Sequence, residues 1–263
     1  MKREAFVFEQ KQCIIYHSEK PECILVQPVN DHEMENLDRQ VSLIKAEVSE
    51  SFIFVAFLVE QWNQELSPWN APPVFGQESF GDGAGETLGF ISGKLIPLTT
   101  EQYASGNNLP VILGGYSLAG LFALWAFYEL DIFTGVAACS ASLWFPHWAE
   151  YVREHTIRPG SLIYLSLGMK EEKTRNAVMA TVGDATRSLY REYCSDPRVA
   201  ETVLEWNPGN HFTQPDERVF KGFAWLLDHN SRKNFGYKEY GKKRETNISA
   251  AEKRNAAYYE GSR

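Results

Sequence analysis

The stretch Gly115-Tyr116-Ser117-Leu118-Ala119-Gly120 sets a serine between small residues two places away on either side. A strand-to-helix turn sharp enough to project a hydroxyl forces that serine into a strained backbone conformation, and bulk at the flanking positions would collide with the adjoining strand and helix. Gly115 and Ala119 meet the demand, although the usual form of the motif has glycine where Ala119 stands. A serine hydroxyl is a poor nucleophile until an imidazole takes its proton. His211 is the histidine placed for that task. It follows an apolar run ending at Trp206, sits just past the turn-rich Asn207-Pro208-Gly209-Asn210, and precedes a helical segment near Gln214. His17, His32, His147, His155 and His229 lie early in the chain or within expected helices.

A carboxylate that fixes the imidazole tautomer and stabilises its charged form belongs just beyond the preceding strand. Gly168-Met169-Lys170-Glu171-Glu172-Lys173 offers two glutamates there. Glu171 is favoured; Glu172, Asp184 or no acid at all stay open, because order along the chain does not aim a side chain. The turn at Ser117 also brings the N–H of Leu118 to a helix N-terminus, where it can face a developing oxyanion. A second donor is expected after the third strand, from a backbone N–H near Val29 or Asn30, with Asp31 capping the helix that follows.

Elements must position these groups. Two alternating stretches, residues 5–10 and 12–16, read as an opening antiparallel hairpin. Short runs apolar on both faces follow at 23–27, 52–58, 110–113, 133–138, 162–167 and 200–206, as buried parallel strands require. Segments long enough for helices lie between and after them, at 31–46, 85–104, 118–130, 144–155, 172–193 and 214–229. Strand and helix in alternation imply right-handed crossovers and a mostly parallel central sheet covered on both faces, an α/β fold. One domain over residues 1–230 is expected, with a polar extension over 231–263 that packs loosely or not at all.

Composition narrows the chemistry. The 263 residues carry a formal net charge of −8, divided between a tail from residue 231 with nine Lys+Arg against four Asp+Glu and a preceding body with 17 against 30. An acidic body suits nucleic acid poorly, since affinity there comes from neutralising phosphates. No apolar run approaches the roughly 20 residues of a membrane span, and the N-terminus lacks the apolar core of a signal peptide, so a cytoplasmic protein without membrane contact is expected. Cys13, Cys23, Cys139 and Cys194 are scattered, which points to buried free thiols rather than a metal site or a disulfide framework. Gly81, Gly83, Gly85 and Gly89 miss the spacings of phosphate-binding loops, so no nucleotide and no other cofactor is expected. The sequence carries no signal for oligomeric state. A long connection after residue 58 contains Trp62 and Trp69. With Tyr116 and Trp144 these residues suggest an aromatic-walled pocket, although each aromatic taken singly is more often packing.

The ordered set of Trp62-Asn63, Leu66-Ser-Pro-Trp69, Gly115-Tyr-Ser-Leu-Ala-Gly120, Ser140-Ala-Ser-Leu-Trp144, Leu165-Ser-Leu-Gly168 with Glu171, and Asn210-His-Phe212 resembles the esterase D-like branch of the α/β-hydrolases. That branch includes S-formylglutathione hydrolases, enterochelin esterases and uncharacterised bacterial esterases. The resemblance covers roughly residues 6–227. It implies a hydrolase acting on a small-molecule carboxylic or thio-ester through an acyl-serine intermediate. Two other outcomes remain: transfer of the acyl group to an alcohol or amine, and a non-catalytic module of the same fold whose basic tail meets an acidic partner.

Overall fold

Side chains on a strand alternate between the two faces of a sheet, so a strand apolar at every position must be covered twice. In the computed structural model, which describes residues 1–230, β3 (Cys23–Val29) and β4 (Phe52–Leu58) are buried at all seven positions. Ile24, Val26, Ile53, Val55 and Phe57 face one core; Cys23, Leu25, Phe52, Phe54 and Ala56 face a second core across the sheet. The other strands are β1 (Lys2–Phe8), β2 (Lys11–His17), β5 (Val111–Tyr116), β6 (Phe133–Cys139), β7 (Ser161–Gly168) and β8 (Val199–Asn207). Among the described residues they form one eight-stranded sheet in the order β1-β2-β4-β3-β5-β6-β7-β8. The β1–β2 hairpin is antiparallel and β2 joins β4 antiparallel; every other pairing is parallel.

The helices are α1 (Asp31–Glu47), α2 (Trp62–Glu65), α3 (Ala84–Phe90), α4 (Ile96–Tyr103), α5 (Leu118–Glu129), α6 (Trp148–Glu154), α7 (Val182–Ser195) and α8, residues 215–230. One core takes the apolar faces of α1 and α8, through Leu37, Val41, Ile44, Val219, Phe223, Leu226 and Leu227. The other takes α3 to α7, with α5 sunk so deep that ten of its residues are buried. This is the expected layered α/β architecture with its opening hairpin. The extension over 231–263 lies outside the described residues.

Three helices depart from their expected bounds. The segment expected as 85–104 is α3 and α4 joined by a wider π turn over Ile91–Leu95. Pro97, which lacks an N–H and crowds the preceding turn, sits just beyond that widening. The helix expected from residue 144 begins at Trp148, because Pro146 and a left-handed His147 (φ 65°) intervene. The helix expected from residue 172 begins at Val182; Glu171–Lys173 is a single 3-10 turn. There the Glu171 carboxylate points inward rather than lying on a solvated first helical turn. No helix among the described residues is long and apolar enough to cross a membrane.

Candidate active site

Ser117 stands between the last residue of β5 and the first of α5 with φ 59° and ψ −120°, the strained conformation expected of a serine at such a turn. Its backbone is pinned on both sides. The N–H donates to Cys139 O at 3.0 Å, and its carbonyl accepts from Ser142 N–H at 3.1 Å. A Cβ at position 115 would lie 2.5 Å from the backbone of Ala119 and 2.8 Å from its Cβ, so with alanine at 119 only glycine passes at 115. Leu118 opens α5, and its N–H is one of the first four that have no acceptor within the helix.

His211 lies on the turn after β8 and brings Nε2 to 3.0 Å from Ser117 Oγ. Its Nδ1 is 2.7 Å from Glu171 Oε2. The carboxylate on Nδ1 fixes the proton there and leaves the Nε2 lone pair for the serine hydroxyl. The Glu171 side chain is only 4% exposed, whereas His211 is 26% exposed and can reach an incoming molecule. Of the acids left open by the sequence, Glu171 is the one brought to the imidazole. Glu172 instead pairs with Arg187 at 2.6 Å, and Asp184 pairs with the same arginine at 2.8 Å.

The other oxygen of Glu171, Oε1, accepts from Ser140 Oγ at 2.7 Å, Gly168 N–H at 2.8 Å and Arg218 Nη1 at 2.7 Å. Burial alone would push this carboxyl up. The hydrogen bond and charge of His211, with the Ser140 hydroxyl and Gly168 N–H, outweigh burial and hold it below its ordinary value, so it stays ionised. The His211 turn is fixed from beneath. Tyr116 Oη donates to His211 O at 2.6 Å, and Arg218 Nη2 donates to Asn210 O at 2.8 Å and Pro208 O at 3.1 Å. Arg218 and Ser140 were not among the expected site residues. The available signal was a charged residue beside the apolar stripe of α8, next to Val219 and four before Gly222, but arginines flank such stripes routinely with their heads in water.

A cavity of about 450 Å³ opens beside the histidine, lined by Ser140, Trp144, Met179, Val182, His211 and Phe212 among others, with Lys170 and Lys173 at its edge. Phe212 is 87% exposed there. Trp144 is thus at the cleft, but three other expected wall residues are not part of the lining. Tyr116 is buried against His211, ring centroids 5.2 Å apart, with its hydroxyl committed to the turn. Trp69 donates its indole N–H to Pro146 O at 2.9 Å and packs on Phe145 and Tyr151. Trp62 packs half-buried against the core that contains α5.

Asn30 also departs from its expected part. The β3–β5 pairing ends with Val26 opposite Leu113, four residues short of Asn30 on one strand and of Ser117 on the other. Yet Asn30, not Asp31, caps α1: its side chain accepts from Glu33 N–H at 2.9 Å, and its own N–H donates to the Glu33 carboxylate at 3.1 Å. This reciprocal capping box occupies the N–H that was expected to face an oxyanion. Burial pushes the Glu33 carboxyl up to about 7. Among the described residues, no group of three or more His, Cys, Asp or Glu side chains could hold a metal ion.

No model of a known protein family matches the chain, and no curated protein sequence matches it. Its fold, by contrast, is widely shared among solved structures. The siderophore hydrolase EstA from Aspergillus nidulans superposes with a TM-score of 0.69 at 15% identity, over 86% of this chain and 94% of that one. The BES protein from Bacillus cereus gives 0.63 at 16% identity, over 85% and 93%. The enterobactin esterase FES from Shigella flexneri gives 0.60 at 15% identity, over 87% of this chain and 60% of that one. Likeness at such identities establishes the fold alone, an α/β-hydrolase fold with a central, mostly parallel sheet, shared with these proteins.

Proposed function

We propose that this chain is a serine hydrolase that cleaves carboxylic or thio-esters, with Ser117 as nucleophile, His211 as general base and Glu171 as the acid that orients it. The observation that carries the reading is the unbroken relay from Ser117 Oγ to His211 Nε2 at 3.0 Å and from His211 Nδ1 to Glu171 at 2.7 Å. In the first step Nε2 takes the serine proton as Oγ attacks the ester carbonyl. The imidazolium so formed is stabilised by the buried carboxylate. The tetrahedral oxyanion develops at the start of α5, where the Leu118 N–H and the helix dipole favour negative charge. His211 then returns its proton to the departing alcohol or thiol, leaving an acyl-serine. Water, activated by the same imidazole, releases the acid.

The aromatic and aliphatic lining of the cleft, Trp144, Met179, Val182 and Phe212, suits the apolar part of a small-molecule ester. The esterase neighbours of the fold support the reaction class. The test is labelling of Ser117 by a fluorophosphonate together with turnover of p-nitrophenyl acetate. Ser117→Ala is expected to abolish labelling and to lower kcat/KM by about 10⁴-fold or more while leaving Tm near wild type. Folded wild-type protein that neither labels nor turns over simple esters would refute the reading.

A further inference from the structure

Arg218 is among the largest fully buried side chains of the described residues, 2% exposed. A guanidinium removed from water persists only where its donors find acceptors, and this one faces five. Nη1 lies 2.7 Å from Glu171 Oε1, 2.9 Å from Ser140 Oγ and 3.1 Å from Tyr116 Oη. Nη2 lies 2.8 Å from Asn210 O and 3.1 Å from Pro208 O. One planar fork from α8 therefore touches the residue before the nucleophile, the acid after β7 and the turn that carries the base. Room for it is made on purpose at Gly168, where a Cβ would come within 2.9 Å of both Nη atoms.

Resting on the serine-hydrolase reading, we propose that Arg218 is the positioning residue of this site: it locks Glu171 with Oε2 toward His211, and its charge sets how tightly the His211–Glu171 pair holds a proton. Two consequences follow from the geometry. With Oε1 held by Arg218, Ser140 and the Gly168 N–H, the carboxylate cannot rotate away from the imidazole. With a cation 2.7 Å from Oε1, the carboxylate's pull on an imidazolium proton is partly offset. The other titratable or charged groups around Glu171 do not take over that function. Burial pushes the Tyr116 phenol and the Cys139 thiol, which lies 3.4 Å from Arg218 O, upward, Cys139 to about 12, so both stay neutral. Lys170 and Lys173 stand at the exposed edge of the cleft.

The experiment compares Arg218→Met and Arg218→Lys with wild type in the full chain. It reads the pH dependence of kcat/KM for p-nitrophenyl acetate, the rate of fluorophosphonate labelling, and Tm. Met removes charge and fork together. The acid limb of kcat/KM is then expected to move up by about one pH unit or more, and kcat to fall at least ~10-fold with KM changed less. Lys keeps a charge near Glu171 but cannot span the carbonyls of Pro208 and Asn210, so the limb is expected to stay near wild type while kcat remains reduced. A folded Met variant with an unmoved limb overturns the proposal. If that variant does not fold, the Lys variant decides: wild-type kcat, or a limb displaced despite the retained charge, overturns it. Wild-type protein that is not labelled at Ser117 sinks the serine-hydrolase reading itself; labelled wild type with an unmoved limb in a folded Met variant sinks only the role of Arg218.

Discussion

At the carboxyl end of β5 the backbone does the holding. Ser117 is fixed by its own strained dihedrals, by main-chain hydrogen bonds to Cys139 and Ser142, and by the missing side chain at Gly115. At the ends of β7 and β8 the holding passes to side chains: Glu171, Ser140, Tyr116 and Arg218 together aim one imidazole. The backbone-built half centres on six consecutive residues, 115–120, with main-chain partners at Cys139 and Ser142, no more than 25 positions from Ser117. The half built from side chains joins residues up to 102 positions apart, and each donor or acceptor in it supports the others. The two halves should therefore fail differently.

Within the half built from side chains the largest effect is expected from Glu171→Gln, which keeps the shape but lets an amide N–H face Nδ1 and select the wrong tautomer. A fall in kcat of about 10³- to 10⁴-fold is expected from steady-state kinetics, with Ser117 still in place. The same variant carries a pH signature. Glu171 is held below its ordinary 4.5, so its contribution to stability is complete above that pH and is lost as pH falls through its lower folded value. Denaturation of Glu171→Gln should lack that acid-side slope.

Gly115→Val attacks the other half alone. Its Cβ would meet the Ala119 backbone at 2.5 Å, and overpacking of this kind should cost about 3 kcal/mol in urea denaturation. Wild-type stability in this variant would show that the turn is not confined as described. Smaller again is Tyr116→Phe, which deletes the hydroxyl between Arg218 and the His211 carbonyl. A loss of ~1–2 kcal/mol and a drop in kcat of roughly 10-fold or less are expected. Last, Trp69→Phe removes the N–H given to Pro146 and trims the ring packed on Phe145 and Tyr151, with about 1 kcal/mol or somewhat more of stability lost. Both kcat and KM should hold; a raised KM would return Trp69 to the cleft.

Much of this is legible in the amino-acid sequence. All eight strands appear where hydrophobic runs or alternation put them, because burial on both faces leaves a signature in consecutive residues. Helix starts were read less well at α6 and α7, where Pro146, the left-handed His147 and the inward turn of Glu171 override the local pattern. The cap of α1 moved by one residue to Asn30, and with it the N–H expected to serve an oxyanion. Trp62, Trp69 and Tyr116 were assigned to a wall because aromatic residues near a site look alike in sequence; only their packing partners separate them.

By itself the sequence determined the sheet, the sharp turn at Ser117 and the place of His211 after the last strand, since each depends on residue size, polarity and spacing within a short window. The tertiary structure alone decided which glutamate meets the imidazole, and that Arg218 from α8 lies beneath it. Those choices depend on where side chains from β5, β6, β7, β8 and α8 converge, and the direction of a side chain across a folded sheet is set by packing that no stretch of neighbouring residues contains.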